Sequence, residues 1–204
     1  MIDLTRLVRA PGLIVIPQGT AEPMTLTRAL VGQRSALSGC RVLLGAVFSD
    51  TFAPACDRHL GLVSYGGIGR TGALVDAGAC EVIPCQFSRL PGLLDGDLRP
   101  DVAFLHLSAE SVNGRHSVGI VEDYIGQAAR AARVRIGQVN DQMPYTHGSS
   151  TFALAELDAV VHVSEPLIEV PPLPPSRVAR EIAARASELI GDGAQTDEDG
   201  SAST

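Results

Sequence analysis

Short apolar runs alternate with longer amphipathic segments along most of this chain. Runs rich in Val, Ile and Leu are typical of buried strands, whereas apolar residues that recur every three or four positions indicate helices. The predicted strands are residues 13–16, 42–44, 102–105, 134–136 and 160–163. The predicted helices are residues 23–37, 71–77 and 123–132. This alternation predicts an α/β fold with an open, mostly parallel sheet and flanking helices.

The C-terminal part of the chain follows a different pattern. Residues 166–175 are dense in proline, which cannot donate to a strand ladder, so they are predicted to run extended over the surface. A helix is predicted over residues 176–190, with Ser176 as its N-cap. It has an apolar face and ends before Gly191. Residues 194–204 are polar and acidic, which predicts a disordered tail. We therefore expect one domain over residues 1–193, followed by that tail.

The charged residues exclude several classes of function. The 204-residue chain has 16 arginines and no lysine, so it can form neither a P-loop nor a Schiff base with a carbonyl substrate. Its net charge of -7 opposes binding to nucleic acid or to an anionic membrane surface, and neither is expected as a partner. The first residues lack the pattern of a secretory signal, and no apolar run approaches the ~20 residues of a membrane span. A cytoplasmic location is therefore expected.

One candidate site is the loop Pro17-Gln18-Gly19-Thr20-Ala21-Glu22-Pro23, which leaves a predicted strand and opens a helix. The N-terminus of a helix presents free N–H groups and the positive end of the helix dipole. The loop is therefore suited to hold an anion or a carbonyl oxygen. The alternative is an ordinary strand-to-helix turn without a ligand.

A glycine-rich segment matches the G-x-G-x-x-G pattern of dinucleotide-binding loops at Gly67-Ile68-Gly69-Arg70-Thr71-Gly72. A dinucleotide site would also need an acidic residue about 20 positions later, at the end of the next strand. That window holds Gln86, Phe87, Ser88 and Arg89 instead. The glycines are therefore predicted to serve a tight turn and close helix packing rather than a nicotinamide or flavin cofactor.

A polar run over residues 138–149 follows the predicted strand at 134–136. Residues at the carboxyl ends of parallel strands line the ligand crevice of open α/β sheets. Asn140, Thr146 and His147 are therefore candidates to face a ligand. Equally, such side chains often satisfy backbone groups of their own loop by hydrogen bonds.

Other chemistry has little support in the sequence. The four cysteines form no C-x-x-C pair and are expected to be reduced and mostly buried. The histidines and carboxylates show no metal-ligand spacing, and a G-x-S-x-G nucleophile motif is missing. We expect no metal and no permanently bound cofactor.

Several stretches, taken in order, resemble the N-terminal half of the acetyl-CoA hydrolase/transferase family, which includes acetate and 4-hydroxybutyrate CoA-transferases. The resemblance covers about residues 12–193. Its most specific part is Gln138-Val139-Asn140 with Met143-Pro144 and Thr146-His147-Gly148. The other matching stretches are residues 16–23, 64–67, 76–78, 82–85, 101–103, 113–119, 131–133 and 157–161.

The resemblance implies a CoA-transferase-type (NagB/RpiA/CoA transferase-like) domain, normally paired with a second, similar domain. It also implies a glutamate that attacks the acyl-CoA thioester, giving an acyl-glutamyl anhydride and then a glutamyl-CoA thioester. In the family this glutamate lies in the second half, outside this sequence, so no catalytic residue is assigned here. The residues carried over as substrate-binding are Gln18, Gly19, Thr20, Asn140, Met143, Pro144 and His147.

The leading hypothesis is therefore a subunit or N-terminal domain of a CoA-transferase or acyl-CoA hydrolase. Its nucleophilic glutamate would come from a second half or from a partner subunit in a hetero-oligomer. Coenzyme A or acyl-CoA and a small carboxylate would be substrates. The alternative is a non-catalytic acyl-CoA-binding or regulatory remnant of the same fold, and a dinucleotide-dependent oxidoreductase is more remote.

Overall fold

The structure, a computed structural model, describes residues 2–170 and 174–194. The chain divides into two compact units, residues 1–170 and residues 171–204, and each is described by itself. The assignment of residues 1–193 to one domain stays a prediction.

The first unit alternates strands and helices in the order that the sequence predicts. Each predicted strand and helix in this unit is found, although the first helix is shorter than predicted. The described strands are β1 (Leu13–Val15), β2 (Arg41–Leu44), β3 (Gly61–Ser64), β4 (Cys80–Val82), β5 (Val102–Ser108), β6 (Ser111–Val112), β7 (Arg115–Ser117), β8 (Val134–Asn140), β9 (Thr151–Phe152) and β10 (Ala159–Val163). The described α-helices are α1 (Met24–Gly32), α2 (Thr71–Asp76), α3 (Leu90–Asp95) and α4 (Ile125–Ala131).

The main sheet is open and parallel. Among the described residues its strands lie in the order β10-β8-β5-β1-β2-β3-β4, and every neighbouring pair is parallel. The chain builds outward from β1 to β4 and then returns to the other side of β1 as β5, so the winding direction reverses between β1 and β5. Open α/β sheets bind ligands beside such a switch point, outside the carboxyl ends of the strands. The predicted fold class is confirmed.

Helices cover both faces of this sheet, which explains the uninterrupted apolar runs. All seven residues of β5 are buried, as expected for a parallel strand covered on both sides. Alternate strand residues point to opposite faces, so Ile14, Val42 and Phe104 belong to one core cluster with α1, while Val15, Leu43 and Leu105 belong to another with α3 and α4.

A small antiparallel sheet follows β5. Within the described chain it has the order β6-β7-β9. The turn between β6 and β7 is Asn113-Gly114, and both residues have positive φ (53° and 74°). An Asn-Gly pair is favoured in such two-residue hairpin turns because both residues tolerate this conformation. This hairpin carries the chain from the end of β5 towards α4.

The second unit contains a helix that the sequence also predicts. Helix α5 (Arg177–Ser187) begins after Ser176, whose Oγ accepts a hydrogen bond from the Ala179 N–H at 3.1 Å. The α-helix ends three residues before the predicted boundary at residue 190. Predictions for residues 171–173 and for the tail beyond residue 194 lie outside the described residues.

Candidate functional site

Loops that follow β1, β2 and β3 meet the start of α4 at the carboxyl edge of the sheet. The first loop (residues 16–23) leaves β1, residues 45–47 follow β2, and Tyr65 follows β3. Tyr124, just before α4, donates from Oη to the carbonyl of Ile16 at 3.0 Å. We call the space beside these groups the crevice.

Gln18 of the first loop is held in a fixed orientation. Its Oε1 accepts hydrogen bonds from the Ala46 N–H at 3.0 Å and from the Tyr65 hydroxyl. Because a backbone N–H can only donate, the atom that faces it must be the amide oxygen. The amide nitrogen of this half-buried side chain therefore points away from Ala46, and Gln18 acts as a fixed donor at the switch point.

Gly45 makes room for this arrangement. A Cβ on Gly45 would lie 2.6 Å from the Gln18 Cβ and 2.8 Å from the Tyr124 Oη. Both distances are too short for carbon and oxygen atoms that do not move. Only glycine therefore allows Gln18 and Tyr124 to approach the end of β2 this closely.

Gly19 and Thr20 complete the first loop. Gly19 has φ +67° and donates its N–H to the Ala46 carbonyl at 2.7 Å, which ties the loop to the end of β2. The Thr20 side chain is half-buried and makes no hydrogen bond among the described residues. The predicted substrate-binding residues of this loop are therefore placed at the crevice, although binding itself stays a prediction.

The start of α1 differs from what the sequence indicates. The N–H groups of Thr25 and Leu26 donate to Gln138 Oε1 of β8 at 3.0 and 3.3 Å. These two N–H groups are thus satisfied within the protein, and the expectation that they are free for an anion is wrong. The sequence did not show this because Gln138 lies more than a hundred residues away.

His106 links the first loop to β8. Its Nδ1 lies 3.2 Å from the Ala21 carbonyl and its Nε2 lies 3.2 Å from Asn140 Nδ2. Burial lowers the pKa of His106 to about 4, and the hydrogen bond to Ala21 offsets only part of this effect. Since a carbonyl only accepts, the neutral ring carries its proton on Nδ1 and accepts from Asn140 on Nε2.

Asn140 is buried, and protein groups occupy both atoms of its amide. Nδ2 also donates to the Glu165 carbonyl at 2.8 Å, while Oδ1 accepts from the N–H groups of Gln142 and Glu165 at 3.2 and 3.1 Å. Asn140 therefore shapes the ends of β8 and β10 rather than opening towards the solvent. Its predicted role in substrate binding is not tested by these contacts.

The later loop (residues 141–150) packs against the segment before α4. Met143 is buried against Gly119, and Thr146 donates from Oγ1 to the Gly119 carbonyl at 2.6 Å. Pro144 and His147 are exposed. The two predicted groups of site residues thus lie at the same sheet edge. None of the described hydrogen bonds joins the two loops directly. His106 connects Ala21 of the first loop to Asn140 at the end of β8.

Sequence reasoning missed three residues of the crevice, Tyr65, Asp123 and Tyr124. The rings of Tyr65 and Tyr124 lie 6.4 Å apart, and Phe87 lies 5.6 Å from Tyr65. Burial raises the pKa of both tyrosines. Tyr65 stands within a stretch that resembles the family, but its partner Gln18 is 47 positions away. No local pattern could have joined them.

The glycine-rich segment forms a tight turn, as predicted. A Cβ on Gly67 would lie 3.2 Å from the Gly72 Cα, and Gly69 has φ +63°. Arg70 donates its N–H to the Val47 carbonyl at 2.7 Å, which fastens the turn to the end of β2. These glycines therefore allow close packing between neighbouring loops of the crevice.

The described residues contain no group of three or more His, Cys, Asp or Glu side chains arranged to hold a metal ion. None of their helices is both long and apolar enough to cross a membrane.

The chain resembles known proteins along most of its length. No protein-family model matches the chain. It is 29% identical over 184 residues to a 4-hydroxybutyrate coenzyme A transferase from Clostridium kluyveri, which covers 89% of this chain and 43% of that protein. RipA from Yersinia pestis has a similar structure (TM-score 0.81, 23% identity) over 92% of this chain and 47% of its own.

A 4-hydroxybutyrate CoA-transferase from Porphyromonas gingivalis also has a similar structure (TM-score 0.72, 24% identity), over 95% of this chain and 45% of its own. The chain thus spans about half the length of the relatives it matches. The resemblance found in the sequence is confirmed, because the chain is similar to the N-terminal half of 4-hydroxybutyrate CoA-transferases.

Proposed function

We propose that this chain forms one half of a site that moves CoA between an acyl-CoA and a carboxylate. The observation that carries this proposal is the fixed amide of Gln18 at the switch point of the sheet. A donor held in place before the ligand arrives stabilises negative charge on oxygen without reorganisation. Both the thioester carbonyl and the acceptor carboxylate offer such an oxygen.

The proposed reaction proceeds through a glutamyl-CoA intermediate. A glutamate carboxylate attacks the thioester carbonyl, the C–S bond breaks, and the CoA thiolate leaves behind an acyl-glutamyl anhydride. The thiolate then attacks the glutamyl carbonyl and releases the acyl group as a carboxylate. An acceptor carboxylate reverses the two steps, whereas water hydrolyses the intermediate. We assign the nucleophilic glutamate to a second half, on a longer chain or on a partner subunit.

This chain would contribute the substrate wall. We assign to it Gln18, Gly19 and Thr20 of the first loop and Met143, Pro144 and His147 of the later loop. Asn140 would act through His106 and the backbone of Glu165, since its own amide is occupied. CoA would be a substrate that leaves with each turnover, not a resident cofactor.

Exposed apolar side chains support a second half that docks at the carboxyl edge. Ile68 after β3 is 50% exposed, Phe87 after β4 is 46% exposed, and Ile120 before α4 is also exposed. Large apolar groups exposed around a polar crevice are typical of a surface that another protein domain covers. More than half of the length of the relatives lies outside the match, which is consistent with such a domain.

Reconstitution tests this function. The chain is co-expressed with the polypeptide encoded immediately downstream, purified by size exclusion, and assayed for transfer of CoA from acetyl-CoA to butyrate. We expect a complex that transfers CoA, while the chain alone does not. Absence of a complex contradicts the proposal. A complex that binds acyl-CoA without transfer or hydrolysis supports the non-catalytic alternative instead.

A further inference from the structure

Three anchors hold the later loop against the rest of the protein. At its start, the side chain of Met143 is buried. In its middle, the Thr146 N–H donates to the Ser117 Oγ at 3.0 Å. Near its end, Ser149 donates from Oγ to the carboxylate of Glu122. Only two residues therefore lie between Thr146 and the anchor on either side of it.

The middle anchor limits how far the exposed residues of the loop can move. Pro144 lies between the first two anchors and His147 between the last two, and both are exposed. Without the anchor at Thr146, the free segment between Met143 and Ser149 would contain five residues instead of two. A longer free segment has more conformations, so fixing it costs more entropy. Thr146 therefore sets the positions of Pro144 and His147.

Ser117 connects the middle anchor to the main sheet. It is the last residue of β7 and is 1% exposed. Its Oγ accepts from the Thr146 N–H and, at 3.2 Å, from the Gly119 N–H. It also donates to the Oγ of Ser108, the last residue of β5, at 3.4 Å. One buried hydroxyl thus joins the later loop to an interior strand of the sheet.

The second contact of Thr146 depends on the same hydroxyl. Thr146 donates from Oγ1 to the Gly119 carbonyl at 2.6 Å, and Gly119 has φ +69°. Among the described hydrogen bonds, the Ser117 Oγ is the acceptor for the N–H groups of both Thr146 and Gly119. Removing this oxygen leaves two donors unpaired at the place where the loop meets β7. An unpaired donor is costly, so we expect the loop to loosen there first.

The segment over residues 117–122, which holds the loop, leads into the crevice. Tyr124, two residues beyond Glu122, donates its hydroxyl to the first loop. A Cβ on Gly148 would collide with the Glu122 carboxylate, so the part of the later loop that carries His147 lies directly against this segment. His147 is therefore held beside residues that border the crevice.

We infer that Ser117 is a positioning residue, whose hydroxyl acts through Thr146 to fix the places of Pro144 and His147 in the substrate wall. This inference rests on the proposed function, which assigns those two residues to the wall. Ser117 is buried, so it acts on the substrate only through the loop. A hydroxyl that only stabilised the fold would protect the whole sheet equally.

The first test measures the hold on the loop in the full 204-residue chain. Exchange of single amide hydrogens is followed by ¹H–¹⁵N NMR. In the wild type, the Thr146 amide should exchange at least about tenfold more slowly than that of His147, which has no acceptor among the described hydrogen bonds. Ser117→Ala should speed exchange at Thr146 by at least about tenfold and change the amides of β8 much less.

Ser111→Ala is the matched control, because it removes an exposed hydroxyl from β6 of the same hairpin. It should leave the exchange of Thr146 and of β8 unchanged. Equal exchange of Thr146 and His147 in the wild type overturns the inference even if Ser117→Ala does not fold. An equal rise at Thr146 and in β8 overturns it as well, because Ser117 would then only stabilise the fold.

The second test is a double-mutant cycle in the reconstituted complex. Ser117→Ala and His147→Ala should each raise KM for butyrate about fivefold and change kcat less. Because Ser117 acts through the loop that carries His147, the double variant should raise KM no further than the larger single effect. Effects that multiply would show that the two residues act independently and would overturn the inference. Ser111→Ala should leave KM unchanged.

The two tests separate this inference from the proposed function. If the complex transfers no CoA, the proposed function fails, and amide exchange at Thr146 still decides whether Ser117 fixes the loop. If the complex transfers CoA and Ser117→Ala leaves KM for butyrate at the wild-type value, the proposed function stands and the inference is overturned.

Discussion

Single side chains connect distant parts of this fold where the backbone alone would leave polar groups unpaired. Gln138 of β8 accepts from two N–H groups of α1, and His106 of β5 joins Ala21 to Asn140. The side chains of Gln138, His106 and Asn140 are buried, and leaving a buried polar group unpaired costs about 1–3 kcal/mol. Their hydrogen bonds therefore fix the first loop relative to the strands beside it.

His106 gives the stability of the chain a specific dependence on pH. Its pKa of about 4 in the folded state lies below the ~6.5 of an unfolded histidine, so the unfolded chain binds more protons between these values. The contribution of His106 is fully present above about pH 6.5 and is lost as the pH falls towards 4. Between pH 6.5 and pH 4, the free energy of unfolding of the wild type, measured in urea, should fall by up to about 3 kcal/mol more than that of the variant His106→Gln.

His147 provides the control for this measurement, because it is exposed in the later loop. The variant His147→Gln should retain the full pH dependence of the wild type. If the free energy of unfolding of His106→Gln and that of the wild type fall in parallel between pH 6.5 and pH 4, the assignment of a buried, neutral His106 is wrong.

Gly45 is the residue on which the crevice geometry depends most directly. Gly45→Ala places a methyl group against Gln18 and Tyr124, and this crowding should lower the free energy of unfolding by about 1–3 kcal/mol. The Gln18 amide signals should move as well. Gly66→Ala is the matched control, since a Cβ there meets nothing within 4 Å, and it should leave both stability and spectra close to the wild type. Equal effects of the two substitutions would contradict the description of the crevice.

At the scale of secondary-structure elements, the sequence predicts the centre of the sheet better than its borders. Strands β1, β5 and β8 are largely buried, and the first halves of their sequences carry apolar runs that are easily recognised, whereas the polar residues of β5 and β8 lie mostly towards their carboxyl ends. Strand β4 is Cys80-Glu81-Val82, an exposed edge strand without such a pattern, and it was not predicted. The pair β7–β9 depends on a long-range contact that no local pattern shows. The hairpin β6–β7 has a local signal in its Asn113-Gly114 turn, but its strands are too short to show an alternating pattern.

The candidate site was predictable only where a general rule of the fold applies. Gln18 and Gly19 follow β1, and the rule that ligands bind outside the carboxyl ends of strands points to them. Tyr65 was missed because its importance depends on its hydrogen bond to Gln18, which lies 47 positions away in sequence. The capping of α1 by Gln138 was not predicted for a similar reason, because Gln138 lies 113 positions from Thr25.

Helix α1 should depend on that cap. Pro23 stands at the N-cap position and offers no side-chain hydrogen bond. Gln138 is therefore the partner of the Thr25 N–H, whereas the Leu26 N–H is shared between Gln138 and the Pro23 carbonyl at 2.9 Å. Gln138→Ala should lower the free energy of unfolding by about 1–2 kcal/mol in urea titrations, because it leaves the Thr25 N–H unpaired. Gln142→Ala removes an exposed glutamine at the end of the same strand and should change stability by less than about 0.5 kcal/mol. A similar loss in both variants would show that the cap contributes little.

For the whole molecule, three observations agree. The sheet reverses its winding beside the crevice, exposed apolar groups lie at that edge, and the relatives continue for more than half of their length outside the match. Together they support a site that lies between this chain and a second half. The polar groups described here would then be one wall of the site.

The most direct test of this account is the rate of CoA transfer from acetyl-CoA to butyrate by the reconstituted complex, with Gln18 intact or replaced. Gln18→Ala removes the fixed donor, and we expect kcat/KM for butyrate to fall about 10- to 100-fold while the complex still forms. Gln142→Ala is the matched control, because it removes an exposed glutamine at the same sheet edge that is not assigned to the substrate wall, and it should retain most of the rate. A complex whose rate is the same with and without the Gln18 side chain would contradict the account.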